Sequence, residues 1–148
     1  MNRNSIFLLL FFVIFLACAS QSFSQTFGKI FTKEEADNMF GKVLQSRPIP
    51  TQLVQELLNR TNNYIMFRIE NNKVIVLDNK RNVLYPEGII VNSQDVFTVY
   101  DVQVLAELLN LGNSSEVNVE KRSEVLSITS GGYTMEVGAL CPPICGND

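Results

Sequence analysis

The residues best placed to do chemistry lie near the C-terminal end, in Cys141-Pro142-Pro143-Ile144-Cys145. Two thiols this close can form a disulfide, exchange electrons through one, or hold a soft metal ion; in an oxidising compartment the disulfide is the ordinary outcome. A fully polyproline backbone would hold Cα atoms four residues apart at about 12 Å, whereas a disulfide needs less than about 7 Å. The segment must therefore turn, with Pro143-Ile144 at the centre of a β-turn or through a cis proline. Chain entropy for so short a loop gives about 2 kcal/mol, felt only in the tail. A terminal staple is the plainer expectation, and thiol–disulfide redox or copper(I) handling the sharper one. A redox pair needs a cation or a helix N-terminus to stabilise one thiolate. The flanking residues offer proline on one side and Gly146-Asn147-Asp148 on the other. A copper(I) site could recruit Met39, Met66 or Met135 through thioether sulfur, although methionines at apolar-patterned positions usually fill core.

Other chemistries have less to work with. Histidine is absent, which excludes Ser-His-Asp triads, Cys–His dyads and His-ligated metals. Among the carboxylates, Glu34, Glu35 and Asp37 suit a helix start, Glu56 and Glu107 the polar faces of helices, and Asp78, Asp95 and Asp101 turns or caps. Glu116, Glu120, Glu124 and Glu136 are expected at strand ends or on outward positions, and no spacing pairs two of them for acid–base work. Ser127 and Ser130 lack a nucleophile-elbow context, and no phosphate loop or dinucleotide fingerprint occurs. Lys80-Arg81 and Lys121-Arg122 read as solvated charges at turns. Asn59-Arg60-Thr61 and Asn113-Ser114-Ser115 match the glycosylation sequon. With 12 basic and 15 acidic side chains in 148 residues, and a pI near 5.0, the chain has no electrostatic reason to bind nucleic acid. No catalytic residue, cofactor or metal site is assigned, and an enzyme is not expected.

The first two dozen residues read as an address. Arg3 is followed by IFLLLFFVIFLA, twelve residues without a polar side chain, which suits a signal-peptide core and falls short of the roughly 20 that span a bilayer. Cleavage after Ser24 would release Gln25, and Ala17-Cys18-Ala19 offers an alternative that releases Ser20. Leu16-Ala17-Cys18 also resembles the lipidation signal of bacterial lipoproteins, with Cys18 as the acylated residue, although Phe15 stands where that motif usually has Leu, Val or Ile. The expected product is a chain exported to the periplasm, the extracellular space or the outer envelope, with no membrane span once the leader is gone. Removing residues 1–24 takes away Arg3 alone among the charged side chains, leaving 11 basic against 15 acidic, or -4. Three segments follow from this: a leader over 1–24, one domain over 25–140, and a Cys-Pro tail over 141–148. A domain of that size buries about two-thirds of its unfolded surface and needs neither metal nor disulfide to fold.

The elements that must position these residues begin at Thr32-Lys33-Glu34-Glu35, a capping box. Ala36, Met39, Phe40, Val43 and Leu44 follow the spacing of one buried helical stripe. Gly41 would sit inside that helix, and Arg47-Pro48-Ile49-Pro50 would end it. A second helix is expected over 51–59 with Leu53, Val54, Leu57 and Leu58 inward. The period then changes to two, in YIMFRIE and KVIVLD around an Asn71-Asn72 turn, and in VLY after a turn at 78–82. Two short strands are expected in 89–100. Asp101 caps a third helix with Val102, Leu105, Leu108 and Leu109 inward and Gly112 as its C′ residue. EVNVEK, EVLSITS and YTMEVG complete a meander around Gly131-Gly132. These readings predict an α+β fold: an antiparallel sheet of hairpins and meanders with about three helices, two of them N-terminal, packed on one face.

One pattern does not fit a sheet covered on a single side. Ile65, Phe67 and Ile69 share one face, yet Tyr64 and Met66 on the other are also apolar, and KVIVLD is apolar on both. Surplus apolar surface of this kind marks either an interaction face, including a homodimer through the sheet, or a second covered face. The function expected is a small exported, non-catalytic binding or scaffold protein whose partner is a protein or a small molecule. The alternatives are a thiol redox or soft-metal protein using Cys141 and Cys145, and a membrane-tethered lipoprotein.

Overall fold

The computed structural model describes residues 26–142; residues 1–25 and 143–148, and with them Cys18, Cys145 and the expected leader, lie outside the described residues. The chain starts with strand β1 (Lys29–Thr32), helix α1 (Lys33–Phe40), strand β2 (Gln45–Pro50) and helix α2 (Thr51–Leu58). Strands β3 (Tyr64–Glu70), β4 (Lys73–Asp78), β5 (Val83–Tyr85) and β6 (Phe97–Asp101) follow. Helix α3 (Val102–Gly112) then leads to β7 (Glu116–Lys121), β8 (Leu126–Ser130), β9 (Tyr133–Glu136) and β10 (Ala139–Cys141). The α+β class with antiparallel strands and three helices is as expected, but the strands divide between two five-stranded sheets, ordered β1-β9-β8-β7-β2 and β10-β6-β3-β4-β5.

The first sheet takes both its edges from the N-terminal segment. Four antiparallel pairings separate β1 from β2, so the two run in the same direction and α1 must carry the chain across the sheet between them. Four strand spacings amount to about 19 Å. The eight residues of α1 cover about 12 Å at 1.5 Å per residue, and residues 41–44 supply the rest. The capping box at Thr32 is present, with Thr32 N donating to Glu35 Oε2 at 2.8 Å and Glu35 N to Thr32 Oγ1 at 3.3 Å. These bonds hold the Glu35 carboxyl below its ordinary pKa.

Helices α2 and α3 each connect one sheet to the other, and the principal core lies where they meet the facing strands. Val117, Val119, Ile128 and Met135 of the first sheet join Ile65, Phe67, Val74 and Val76 of the second, closed by Val54 and Leu57 of α2 and by Leu105, Leu108 and Leu109 of α3. Of the residues expected inward on these two helices, Val54, Leu57, Leu105, Leu108 and Leu109 are buried, whereas Leu53, Leu58 and Val102 are half-buried at the margin. A side chain of this type contributes about 1.5–3 kcal/mol when fully buried. The Asn71-Asn72 turn takes positive φ at both residues, 48° and 63°, as a two-residue hairpin between β3 and β4 requires.

Several expectations are corrected. The first helix stops at Phe40, because Gly41 at φ 82° leaves the helical region; Met39 within it and Leu44 beyond it are 63% and 70% exposed rather than part of a buried stripe. Arg47-Pro48-Ile49-Pro50 belongs to β2, not to a helix stop. Two prolines are tolerated there because β2 is an edge strand paired only with β7, where a missing N–H need not break a ladder. Residues 89–91 form no strand, and Ile89 and Val91 instead pack against the second sheet. Asn113, at φ 41°, takes the left-handed C-cap expected of Gly112, which lies within α3. The backbone turns again after Glu136, so that β10 joins the second sheet beside β6 and places Cys141 inside the fold rather than in a tail.

Met66 does not belong to an open interaction face. The far side of the second sheet is a second core, in which Met66, Ile75, Leu77, Phe97, Val99 and Cys141 pack with Phe27, and Tyr64, Ile89 and Val91 lie against them. The N-terminal approach to β1 and the 86–96 connection cover the surplus apolar face of β3 and β4.

Candidate functional site

Three places on the molecule gather polar chemistry. The first surrounds Cys141, which is fully buried. Arg81 Nη1 reaches its sulfur at 3.0 Å, while Arg81 Nη2 donates to the carbonyls of Asn92 at 3.1 Å and Asp95 at 2.9 Å. Arg81 and Arg68 both lie over the Phe97 ring, at 5.5 and 5.7 Å from its centroid. Asn92 N donates to the Asp95 carboxylate at 2.8 Å and Arg68 bridges to it at 3.0 Å, which together hold that carboxyl below its ordinary pKa. The sequence expectation that Cys141 lacks a neighbouring cation is thus corrected. The cation comes from 60 residues away, from the turn between β4 and β5. Cys145, the other member of the expected pair, lies outside the described residues. Of the three methionines considered as soft ligands, only Met66 shares a cluster with Cys141; Met135 sits in the principal core and Met39 on the surface of α1.

The second place is a buried charge cluster between α1 and the first sheet. Ser127, Thr129, Thr134 and Glu136 alternate with Ile128 and Met135, so they share the face turned away from the principal core. Arg122, with no exposed surface, lies among them. Its Nε contacts Glu136 Oε1 at 2.9 Å and Ser127 Oγ at 3.0 Å, its Nη1 reaches Asp37 Oδ1 at 2.7 Å and donates to the Gly41 carbonyl, and its Nη2 is 3.9 Å from Glu120 Oε2. Thr129 donates to Glu120 at 2.7 Å. Burial pushes the Glu136 carboxyl above its ordinary pKa, against the pull of Ser127 and Arg122 and with the added push of the Glu120 charge. Burial and the Glu136 charge likewise raise Tyr100, whose hydroxyl donates to the Leu126 carbonyl.

This cluster was not visible in the sequence, which placed Glu120 and Glu136 outward and Arg122 in solvent. The polar alternation of β8 and β9 normally marks a solvated face; here α1 covers it. Arg122, Ser127, Thr134 and Glu136 have no more than trace exposure, so no substrate reaches them while α1 is in place. The cluster ties α1 and residue 41 to the sheet.

The third place is an open groove of about 750 Å³. Thr26, residues 61–64 and residues 101–104 line it, from the end of α2, the start of β3 and the first turn of α3. Its rim is pinned on several sides: Val102 N donates to the Asn63 carbonyl at 2.9 Å, Asp101 N to the Phe27 carbonyl at 2.7 Å, and Thr61 Oγ1 to the Tyr64 carbonyl at 2.8 Å. Asp101 caps α3 by accepting from Gln103 N at 2.7 Å, as the sequence predicted. Tyr64 is half-buried here, its ring 5.3 Å from that of Phe27. Of the two residues expected to mark an interaction face, Tyr64 therefore reaches an open surface and Met66 does not. Among the described residues, the exposed side-chain amides of Asn62, Asn63 and Gln103 make no hydrogen bond within the protein. No lysine or arginine among the described residues lines the groove. The pattern was hidden in sequence because residues 61–63 lie on the connection after α2 and residue 103 in the first turn of α3, much further along the chain, and neither stretch carries a motif.

No family model, curated protein or solved structure matches this chain. No described helix is long and apolar enough to cross a membrane.

Proposed function

We propose that the chain is a small exported, non-catalytic binding protein of the periplasm, outer envelope or extracellular space, and that the groove beside α3 is where it binds. The observation that carries this reading is the groove's pinned rim, which presents side-chain amides with no partner of their own. A rigid rim lowers the ordering cost of binding. Export rests on residues 1–24, and absence of catalysis on the lack of histidine and the inaccessibility of the acidic cluster. Intact mass of the protein from the exported fraction, with and without reduction and alkylation, tests the export reading. A chain starting at Gln25 or Ser20 supports it, and an unprocessed chain retained in the cytosol overturns it. Cys18 carrying acyl chains would make the protein a membrane-tethered lipoprotein.

A second reading is favoured by Arg81. A guanidinium 3.0 Å from the Cys141 sulfur would stabilise the thiolate that opening a Cys141–Cys145 bridge releases, the condition that favours an exchangeable bridge over a staple. Titration against defined redox buffers separates the two: a bridge below about -300 mV is structural, and one near thioredoxin-like values supports exchange.

A further inference from the structure

We infer that the groove beside α3 accepts a neutral, polyhydroxylated ligand, that is, a carbohydrate. This assignment rests on the binding reading above and names its ligand class. Charge comes first. Among the described residues the one charged side chain lining the groove is the Asp101 carboxylate, one of whose oxygens accepts from Gln103 N and so takes up the start of α3; a phosphate, sulfate or carboxylate ligand would meet that charge with no lysine or arginine to pair with.

Hydrogen-bonding capacity comes next. Asn62, Asn63 and Gln103 each offer an acceptor oxygen and a two-proton donor, none of them used within the protein. A side-chain amide suits neighbouring hydroxyls because it can donate to one and accept from the next. The half-buried Tyr64 ring adds an apolar edge, held against Phe27, on which the C–H face of a sugar ring can rest. The size agrees as well. Small-ligand sites commonly run from about 300 to about 1,000 Å³ and are mostly apolar; a groove of about 750 Å³ lined by amides and hydroxyls selects a ligand that is polar and uncharged.

The test uses the chain expressed with its own leader and purified from the exported fraction. Calorimetric titration with maltotriose, xylotriose and chitotriose is run beside inorganic phosphate and lysine methyl ester. Saturable binding of at least one trisaccharide is expected, weakened about tenfold by Gln103→Ala or Asn62→Ala, the effect of losing one well-made hydrogen bond. Asn38→Ala on α1 should leave binding unchanged, and matching thermal unfolding shows that each variant folds. If phosphate or the amine binds instead, and the same variants abolish it, the carbohydrate assignment is overturned while the binding reading survives. If Gln103→Ala and Asn62→Ala fold normally and change the binding of none of these probes, both are overturned.

Discussion

Replacing Arg122 by methionine is expected to destabilise the fold by about 3–5 kcal/mol, the cost of leaving buried charge without its partner. The magnitude follows from what remains. Glu136 has no exposed surface and Glu120 is 4% exposed, and among the described residues Arg122 is the one cation contacting both. The same substitution strips Asp37 and the Gly41 carbonyl of their hold on the sheet, leaving α1 docked mainly through Ala36 and the contact of Phe40 with Phe31. Since a domain is stable by about 5–15 kcal/mol and a urea slope is about 1–3 kcal/mol per molar, the unfolding midpoint should fall by about 2 M. Amide exchange should accelerate most in α1. Adding Glu136→Gln to Arg122→Met should recover part of the loss, because the orphaned charge is then gone. A single variant within about 1 kcal/mol of the parent, with an unchanged slope, refutes the reasoning.

Other perturbations test separate parts of the structure. Burial raises the Glu136 carboxyl above its ordinary value, so the folded state holds that proton more tightly than the unfolded chain. Its stabilising contribution is fully present below the unfolded pKa and is lost as pH rises through the folded one; Glu136→Gln should flatten this part of a stability–pH profile measured in urea. Gly112→Ala places a Cβ 2.5 Å from the Ser130 carbonyl oxygen and should cost about 1–3 kcal/mol by overpacking. Gly132→Ala meets nothing within 4 Å and should change thermal unfolding little. Thr32→Ala removes the N-cap of α1 and should cost about 1 kcal/mol, seen as faster exchange confined to that helix.

Local signals carried much of the fold. The capping box at Thr32, the Asp101 cap, the paired positive-φ asparagines and the period-two strands each depend on neighbours in sequence, and each predicted its element. What failed depended on tertiary placement. Pro48 and Pro50 read as a stop because nothing local reveals that β2 is an edge. Glu136 read as outward and Arg122 as solvated because the helix that covers them is far away in the chain. Met66 read as surplus surface because Phe27 and the 86–96 connection, which cover it, have no regular pattern. At the candidate groove, Tyr64 drew attention as an aromatic residue on a second face, whereas Asn62, Asn63 and Gln103 carry no motif or period that would single them out. Arg81 looked solvated for the same reason: its contact with Cys141 exists only after β10 folds back onto β6.

Amide chemical-shift mapping during titration with a binding trisaccharide tests the central claim most directly. A protein that binds at the groove and performs no chemistry should show saturable shifts concentrated in residues 61–64 and 101–104, with the sugar recovered unchanged. Shifts centred elsewhere, or a cleaved or modified sugar, would contradict the account.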